Sequence, residues 1–174
     1  GATGCVGKSL AASLASSGRH SLVLLARDET RLRATAHAVA AGTTVSIAPL
    51  ESFGDQQGDV IVNCLGAGDP REIHQLGPEL MRLTETWDGK ILRYLERFPS
   101  TLCIAFSSGA VYGLDRSKPV TPKTQAQFPV NALSEHHPYA VAKLNSEMKH
   151  RTEGHLDIVD LRLFGFASRF IEPD

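Results

Sequence analysis

Residues 1–9 read GATGCVGKS, followed by LAASLASSG to residue 18, and the first nine fit two different phosphate-binding turns. As G-x-x-G-x-x-G, Gly1, Gly4 and Gly7 form a turn that lets a dinucleotide pyrophosphate approach a helix N-terminus. Counted from Ala2, ATGCVGKS fits a relaxed P-loop, with Gly7, Lys8 and Ser9 in the G-K-S positions and Ala2 replacing the first glycine. The first turn serves hydride chemistry and the second nucleoside triphosphate hydrolysis, so the rest of the chain has to decide.

Downstream of the turn, Leu10, Ala11, Leu14 and Ala15 recur at helical spacing and Gly18 supplies a stop. SLVLLA, ending at Ala26, is a short apolar run of the kind a buried parallel strand needs. Asp28 fits the N-cap of a helix through ETRLRATAHAVAA, with Gly42 as its stop, and TTVSIA follows as a strand. DVIVNCLGAG gives a strand leading into a loop with Gly66 and Gly68, and a long helical region then runs to Phe98 with a bend near Gly77-Pro78. TLCIAFSSG and HLDIVDLRLF are the last two strands, separated by a proline-punctuated stretch and a helix starting near Tyr139. Strands alternating with helices imply an α/β fold built on a parallel sheet covered on both faces.

A P-loop enzyme needs an acidic residue at the end of a second apolar strand to organise magnesium. Asp160 in LDIVD is offered for that role, but the apolar pattern continues through Leu161 and Leu163. The dinucleotide turn asks for a helix at the third glycine, a strand soon after, and a ribose-contacting residue at its tip, where Arg27 and Asp28 stand. PYAVAK adds Tyr139 and Lys143 at i and i+4, on one face of a helix. A tyrosine ionises near pH ~10, and a neighbouring ammonium lowers that value, making an acid/base for a hydroxyl or carbonyl. SSGAVYG, at a strand end, delivers Ser107 and Ser108 to the rim where sites form in parallel sheets.

In this order the segments resemble the extended short-chain dehydrogenase/reductases, the NAD-dependent epimerase/dehydratase type. GATGCVG is similar to the cofactor fingerprint, SSGAVYG to the S-x-x-V-Y-G segment, YAVAK to Y-x-x-x-K, and LRLFGFAS to the strand entering the substrate lobe. The resemblance implies a doubly wound, Rossmann-like parallel sheet with Ser108, Tyr139 and Lys143 as catalytic residues and no metal. It implies cofactor contacts at Gly1, Gly4, Cys5, Val6 and Gly7 in the turn and at Arg27 beyond the second strand. Leu65 and Gly66 complete the cofactor set, with Tyr139 and Lys143. Lys8 and Ser9 then become first-turn helix residues.

An arginine at the ribose favours NADP over NAD, and Arg27 holds that place with Arg31 one turn on; Asp28 serves equally as an N-cap or as a ribose acid. The family's usual substrate is a nucleotide-linked sugar. Gly165 stands where relatives carry an asparagine touching it, and Gly109 and Ala110 stand where sugar dehydratases carry an Asp-Glu pair. Neither residue exchanges a proton, so an epimerase or reductase is expected rather than a dehydratase. The alternative is a catalytically silent NAD(P)-binding sensor on the same fold.

A formal net charge of -1 gives no global electrostatic reason to bind nucleic acid or an anionic membrane. No apolar run is long enough for a membrane span. A cytoplasmic protein is expected, and a homodimer stays open. Cys5, Cys64 and Cys103 lack C-x-x-C spacing, and the latter two fit buried small hydrophobes. His136 and His137 are expected to be exposed, as are Lys149 and Arg151. Residues 1–174 are expected to be a dinucleotide-binding domain lacking the strand before Gly1 and the substrate lobe after Asp174.

Overall fold

The computed structural model describes residues 1–40, 43–67, 70–113, 117 and 119–171. Gly42, Gly68 and Asp174, named above, lie outside these. The chain divides into two compact units, Gly1–Gln57 with Gly165–Asp174, and Gly58–Phe164.

In the first unit the glycine turn runs directly into α1 (Cys5–Ser17). Gly18 ends this helix in the left-handed conformation, φ 64°, and its N–H closes on the Ala15 carbonyl, the stop expected of glycine. Strand β1 (Leu22–Ala26) follows, then α2 (Glu29–Val39) and β2 (Val45–Pro49). β1 and β2 are parallel, with Leu22 opposite Val45 and Ala26 opposite Pro49. The core gathers Ala11 and Ala12 of α1, Leu24 and Ala26 of β1, and Leu32 and Val39 of α2. Alanines on α1 keep that helix surface small, and Leu32, 1% exposed, fills the space on α2. Burying such a leucine contributes about 1.5–3 kcal/mol.

The second unit carries β3 (Val60–Asn63), α3 (Pro70–Leu76), α4 (Glu79–Arg97), β4 (Leu102–Ser108), α5 (His137–Thr152) and β5 (Ile158–Leu163). Its sheet is parallel in the order β3-β4-β5. The long helical region is divided at Gly77, where φ is 47°, a conformation that favours glycine. α4 buries Leu80, Ile91, Tyr94 and Leu95. The Tyr94 hydroxyl accepts the Gly58 N–H at 2.7 Å and the Thr101 hydroxyl donates to the Gly58 carbonyl at 2.7 Å, so the entry to β3 is tied to the end of α4 and to the entry to β4. Along β4, Cys103, Ala105 and Ser107 are buried, the period-two pattern of a strand.

One expectation is corrected. His136 is exposed, but His137 is only 6% exposed. The chain ahead of α5 folds back on itself, so that His137 Nδ1 accepts the Ser134 N–H at 2.8 Å and the imidazole edge meets the Phe128 ring. A polar side chain in a polar stretch is thereby buried, because its nitrogen closes a turn.

Candidate functional site

The glycine turn and the tip of β1 belong to the first unit. Gly4 is the N-cap of α1 and no side chain caps it. The first-turn N–H groups of Cys5, Val6 and Gly7 therefore open onto the loop, with Lys8 N–H already bonded to the Gly4 carbonyl at 2.8 Å. Gly7 and Gly4 are glycine for different reasons. A Cβ on Gly7 would lie 2.3 Å from the Gly1 carbonyl oxygen and 2.9 Å from Ala2 Cα, so the turn itself excludes a side chain there. A Cβ on Gly4 meets only the Gly1 oxygen at 3.5 Å, an ordinary contact. The turn has room at Gly4 that its own atoms do not use, as expected where a pyrophosphate approaches the backbone. Gly1, Cys5 and Val6 thus lie at a helix start that no side chain caps.

At the tip of β1, Arg27 is exposed. Asp28 is the N-cap of α2, its Oδ1 accepting the Arg31 N–H at 2.9 Å. Of the two roles open to Asp28, capping is the one its geometry displays.

In the second unit, Lys143 Nζ donates to the Phe106 carbonyl of β4 at 2.8 Å. It also lies over Gly66, whose φ is 139° and where a Cβ would come within 3.3 Å of the ammonium. The loop bearing Leu65 and Gly66 leaves β3 through an Asn63 turn, in which the Asn63 side chain accepts the Leu65 N–H at 3.0 Å. Burial pulls the Lys143 ammonium below the usual lysine range, opposed by the Asp88 and Asp160 carboxylates and the Cys64 thiol. Tyr139 sits one turn earlier on the same face of α5. Ser108 ends β4, and its Oγ accepts the Ala110 N–H at 3.2 Å. That bond fixes the hydroxyl oxygen and leaves its hydrogen to donate outward.

Gly109, next to Ser108, is covered by the Phe164 ring, which a Cβ would approach to 2.6 Å. Burial pushes the Cys64 thiol up to about 11 and the Cys103 thiol to about 12, the latter with help from the Asp160 and Asp88 carboxylates. Both are inert small side chains at neutral pH. Among the described residues there is no cluster of His, Cys, Asp or Glu that would hold a metal.

Asp160 lies inside β5, opposite Ala105, rather than at its end. Its Oδ1 is 2.7 Å from His150 Nδ1, and His150 Nε2 is 2.8 Å from Asp88 Oδ1. The acid considered for a P-loop magnesium is therefore committed to an imidazole. Lys149, expected to be solvated, lies against Asp88 Oδ2 and 3.0 Å from Glu85. Local periodicity has no means of finding this cluster, because Asp88 of α4 and His150 of α5 meet across 62 residues of sequence.

Burial opposes the charge on His150, but the hydrogen bonds to Asp160 and Asp88 outweigh it and raise the imidazole to about 9. The raised value means that its stabilisation is complete below the unfolded value near ~6.5 and is lost as pH climbs through the folded value. The melting temperature is expected to fall between about pH 6.5 and pH 9 in wild type and to lose this step in His150→Asn. A wild-type melting curve flat to pH 9 would contradict the doubly bonded imidazolium.

The family model for the NAD dependent epimerase/dehydratase family matches residues 1–173. Among solved structures, UDP-glucose 4-epimerase from Bifidobacterium longum, in complex with NAD+ and UDP, superposes with a TM-score of 0.72 at 18% identity, over 92% of this chain and 50% of that one. UDP-glucuronic acid 4-epimerase from Bacillus cereus, in complex with NAD, gives 0.70 at 19% identity over 94% and 54%. A metagenomic short-chain oxidoreductase in complex with NADP gives 0.59 at 22% identity over 92% and 77%. The chain thus spans about half the length of the epimerases it resembles. The curated proteins give no match. A family match over nearly the whole sequence, on alternating parallel strands and helices, shows that this chain belongs to the NAD dependent epimerase/dehydratase family.

Proposed function

We propose that the chain is the dinucleotide-binding part of a nicotinamide-dependent enzyme that epimerises or reduces a nucleotide-linked sugar, with Ser108, Tyr139 and Lys143 handling the substrate oxygen and its proton. The observation that carries this reading is the seating of Lys143, held on the Phe106 carbonyl and over Gly66 one helical turn from Tyr139. A lysine serving only as a solvated surface charge has no need of such a seat. The nucleotide-sugar epimerases among its structural relatives support the substrate class.

The nicotinamide, when bound, supplies the hydride acceptor and donor. Tyr139 exchanges a proton with the reacting hydroxyl, and Lys143 stands one turn away on the same face of α5. Ser108 donates its free hydroxyl hydrogen to the same oxygen, orienting it toward Tyr139. The N–H groups at the start of α1 hold the pyrophosphate. Gly109 and Ala110 offer no acid or base for loss of water, and the Phe164 ring leaves no space for a side chain at Gly109 unless it moves. Reduction or epimerisation therefore fits these residues better than dehydration.

Arg27 makes NADP the preferred cofactor in this reading, since Asp28 is engaged as an N-cap and the exposed guanidinium is the group suited to a 2′-phosphate. Arg27→Asp is expected to weaken NADP relative to NAD by roughly 10- to 100-fold, the worth of a charged hydrogen bond replaced by repulsion. Fluorescence titration of wild type and variant with the two reduced cofactors measures it. A wild type that prefers NAD, or a variant with an unchanged ratio, would remove Arg27 from the ribose.

A further inference from the structure

Glu147 is the most unusual residue of α5, a carboxylate whose side chain is wholly buried. A buried charge persists only with partners, and Glu147 has them on three sides. The Ser107 hydroxyl donates to Oε1 at 2.6 Å, Arg162 Nε approaches the two oxygens at 2.9 and 3.1 Å, and Arg162 Nη2 donates to Oε2 at 2.5 Å. Arg151 Nη1, on the solvent side of the same helix, adds a bond at 2.8 Å. Burial alone would raise this carboxyl, but Arg162, Ser107 and Arg151 hold it down at about 2.

Two of these partners come from the sheet and face each other. Ser107 of β4 stands opposite Arg162 of β5 in the strand register. The pair is a socket made by two neighbouring strands, and Glu147 is the plug that α5 inserts into it. One turn earlier on α5, Lys143 bonds the carbonyl of Phe106, the residue before Ser107, and the residue after Ser107 is Ser108. The helix is thus fastened to β4 at two consecutive residues, immediately before the serine read as catalytic. A slip of one residue along the helix is ~1.5 Å of travel and ~100° of rotation, enough to carry the ammonium off the Phe106 carbonyl. The socket also continues outward. Arg162 lies over the Tyr112 ring at 4.5 Å, Tyr112 stacks on Phe164 at 6.2 Å, and Phe164 covers Gly109.

We propose that Glu147 and Ser107 are positioning residues for Lys143, their hydrogen bond fixing the register of α5 on β4 and hence where the ammonium stands relative to Ser108. The proposal rests on the functional reading above only for the purpose of that placement; the placement itself is a property of the fold. A buried ion pair is poor evidence of stability, because apolar residues of equal volume often do as well. Specifying one helix register is the better-attested use of such a pair.

The test removes one hydroxyl and leaves the Arg162–Glu147 pair intact. Lysine labelled with carbon-13 at Cε reports the titration of each ammonium by NMR, and the Lys143 signal is assigned by its loss in Lys143→Arg. The groups facing that ammonium are the Phe106 carbonyl of β4, the Asp88 carboxylate of α4, the Asp160 carboxylate of β5 and the Cys64 thiol after β3. In Ser107→Ala the Lys143 midpoint is expected to rise toward that of an exposed lysine, and in Ser107→Thr, which keeps the hydroxyl, to return toward wild type. If Ser107→Ala does not fold, Ser107→Cys keeps the volume with a weaker donor and carries the same comparison. A folded variant with a lower melting temperature and an unmoved Lys143 midpoint would overturn the proposal, leaving Glu147 and Ser107 as a plain structural tie. Because the signal needs no cofactor, a chain that binds no dinucleotide yet shows the shifted midpoint would sink the functional reading and keep this one.

Discussion

Tyr139→Phe is expected to reduce turnover in the proposed reaction by roughly 10²- to 10⁴-fold, the usual contribution of a positioned acid/base, with a much smaller effect on dinucleotide affinity. The substitution removes a single O–H. The seat of Lys143 on Phe106 and over Gly66 does not involve the phenol. Chemistry is thus separated from binding: kcat falls far more than cofactor affinity does. Retention of wild-type turnover in whichever reaction is found would remove Tyr139 from the proton path. Conversion of a nucleotide hexose to a 4-keto-6-deoxy product at a useful rate would show that water loss is managed without an acid at Gly109 or Ala110, against the expectation drawn from those residues.

Gly4→Val and Gly7→Ala are expected to fail in opposite ways. The new Cβ at Gly4 meets only an ordinary contact, and Gly4 lies at φ -77°, ψ 164°, an extended conformation that valine accepts. The variant should fold with a melting temperature near wild type and lose dinucleotide binding by at least ~100-fold, since the isopropyl group occupies the space where the pyrophosphate approaches the N–H groups of α1. At Gly7 even a methyl group falls 2.3 Å from the Gly1 carbonyl oxygen. That contact is with backbone, so the turn must open, at a cost of about 1–3 kcal/mol for overpacking. Calorimetry and cofactor titration together separate the two. A Gly4→Val protein that binds like wild type would mean that the room at Gly4 is not a ligand's.

The order of elements was legible because each strand is an apolar run between polar or glycine punctuation, as LVLLA is between Ser21 and Arg27, and because caps are local. Asp28 and Gly18 cap their helices as their residue types predict. The helix period put Tyr139 and Lys143 on one face of a helix, as α5 has them, whereas the strand end offered Ser107 and Ser108 alike and only the family resemblance chose Ser108. What stayed hidden depends on pairs distant in sequence. Glu147 reaches Ser107 across 40 residues and His150 reaches Asp88 across 62. A charged residue on a helix reads as a solvated one unless its partner is known, which is why Lys149 was expected in water. His137 was misjudged for the related reason that a fold-back turn, rather than composition, decides its burial.

The most direct test of the central claim is a titration of the folded chain with NADPH, followed by nicotinamide fluorescence, beside an assay for magnesium-dependent ATP hydrolysis, each run on wild type and Lys8→Ala. The dinucleotide reading of GATGCVGKS predicts saturable NADPH binding in both proteins, because Lys8 is a helix residue whose N–H bonds Gly4, and no ATP hydrolysis in either. ATP hydrolysis that disappears in Lys8→Ala, with no NADPH bound by the folded wild type, would contradict it.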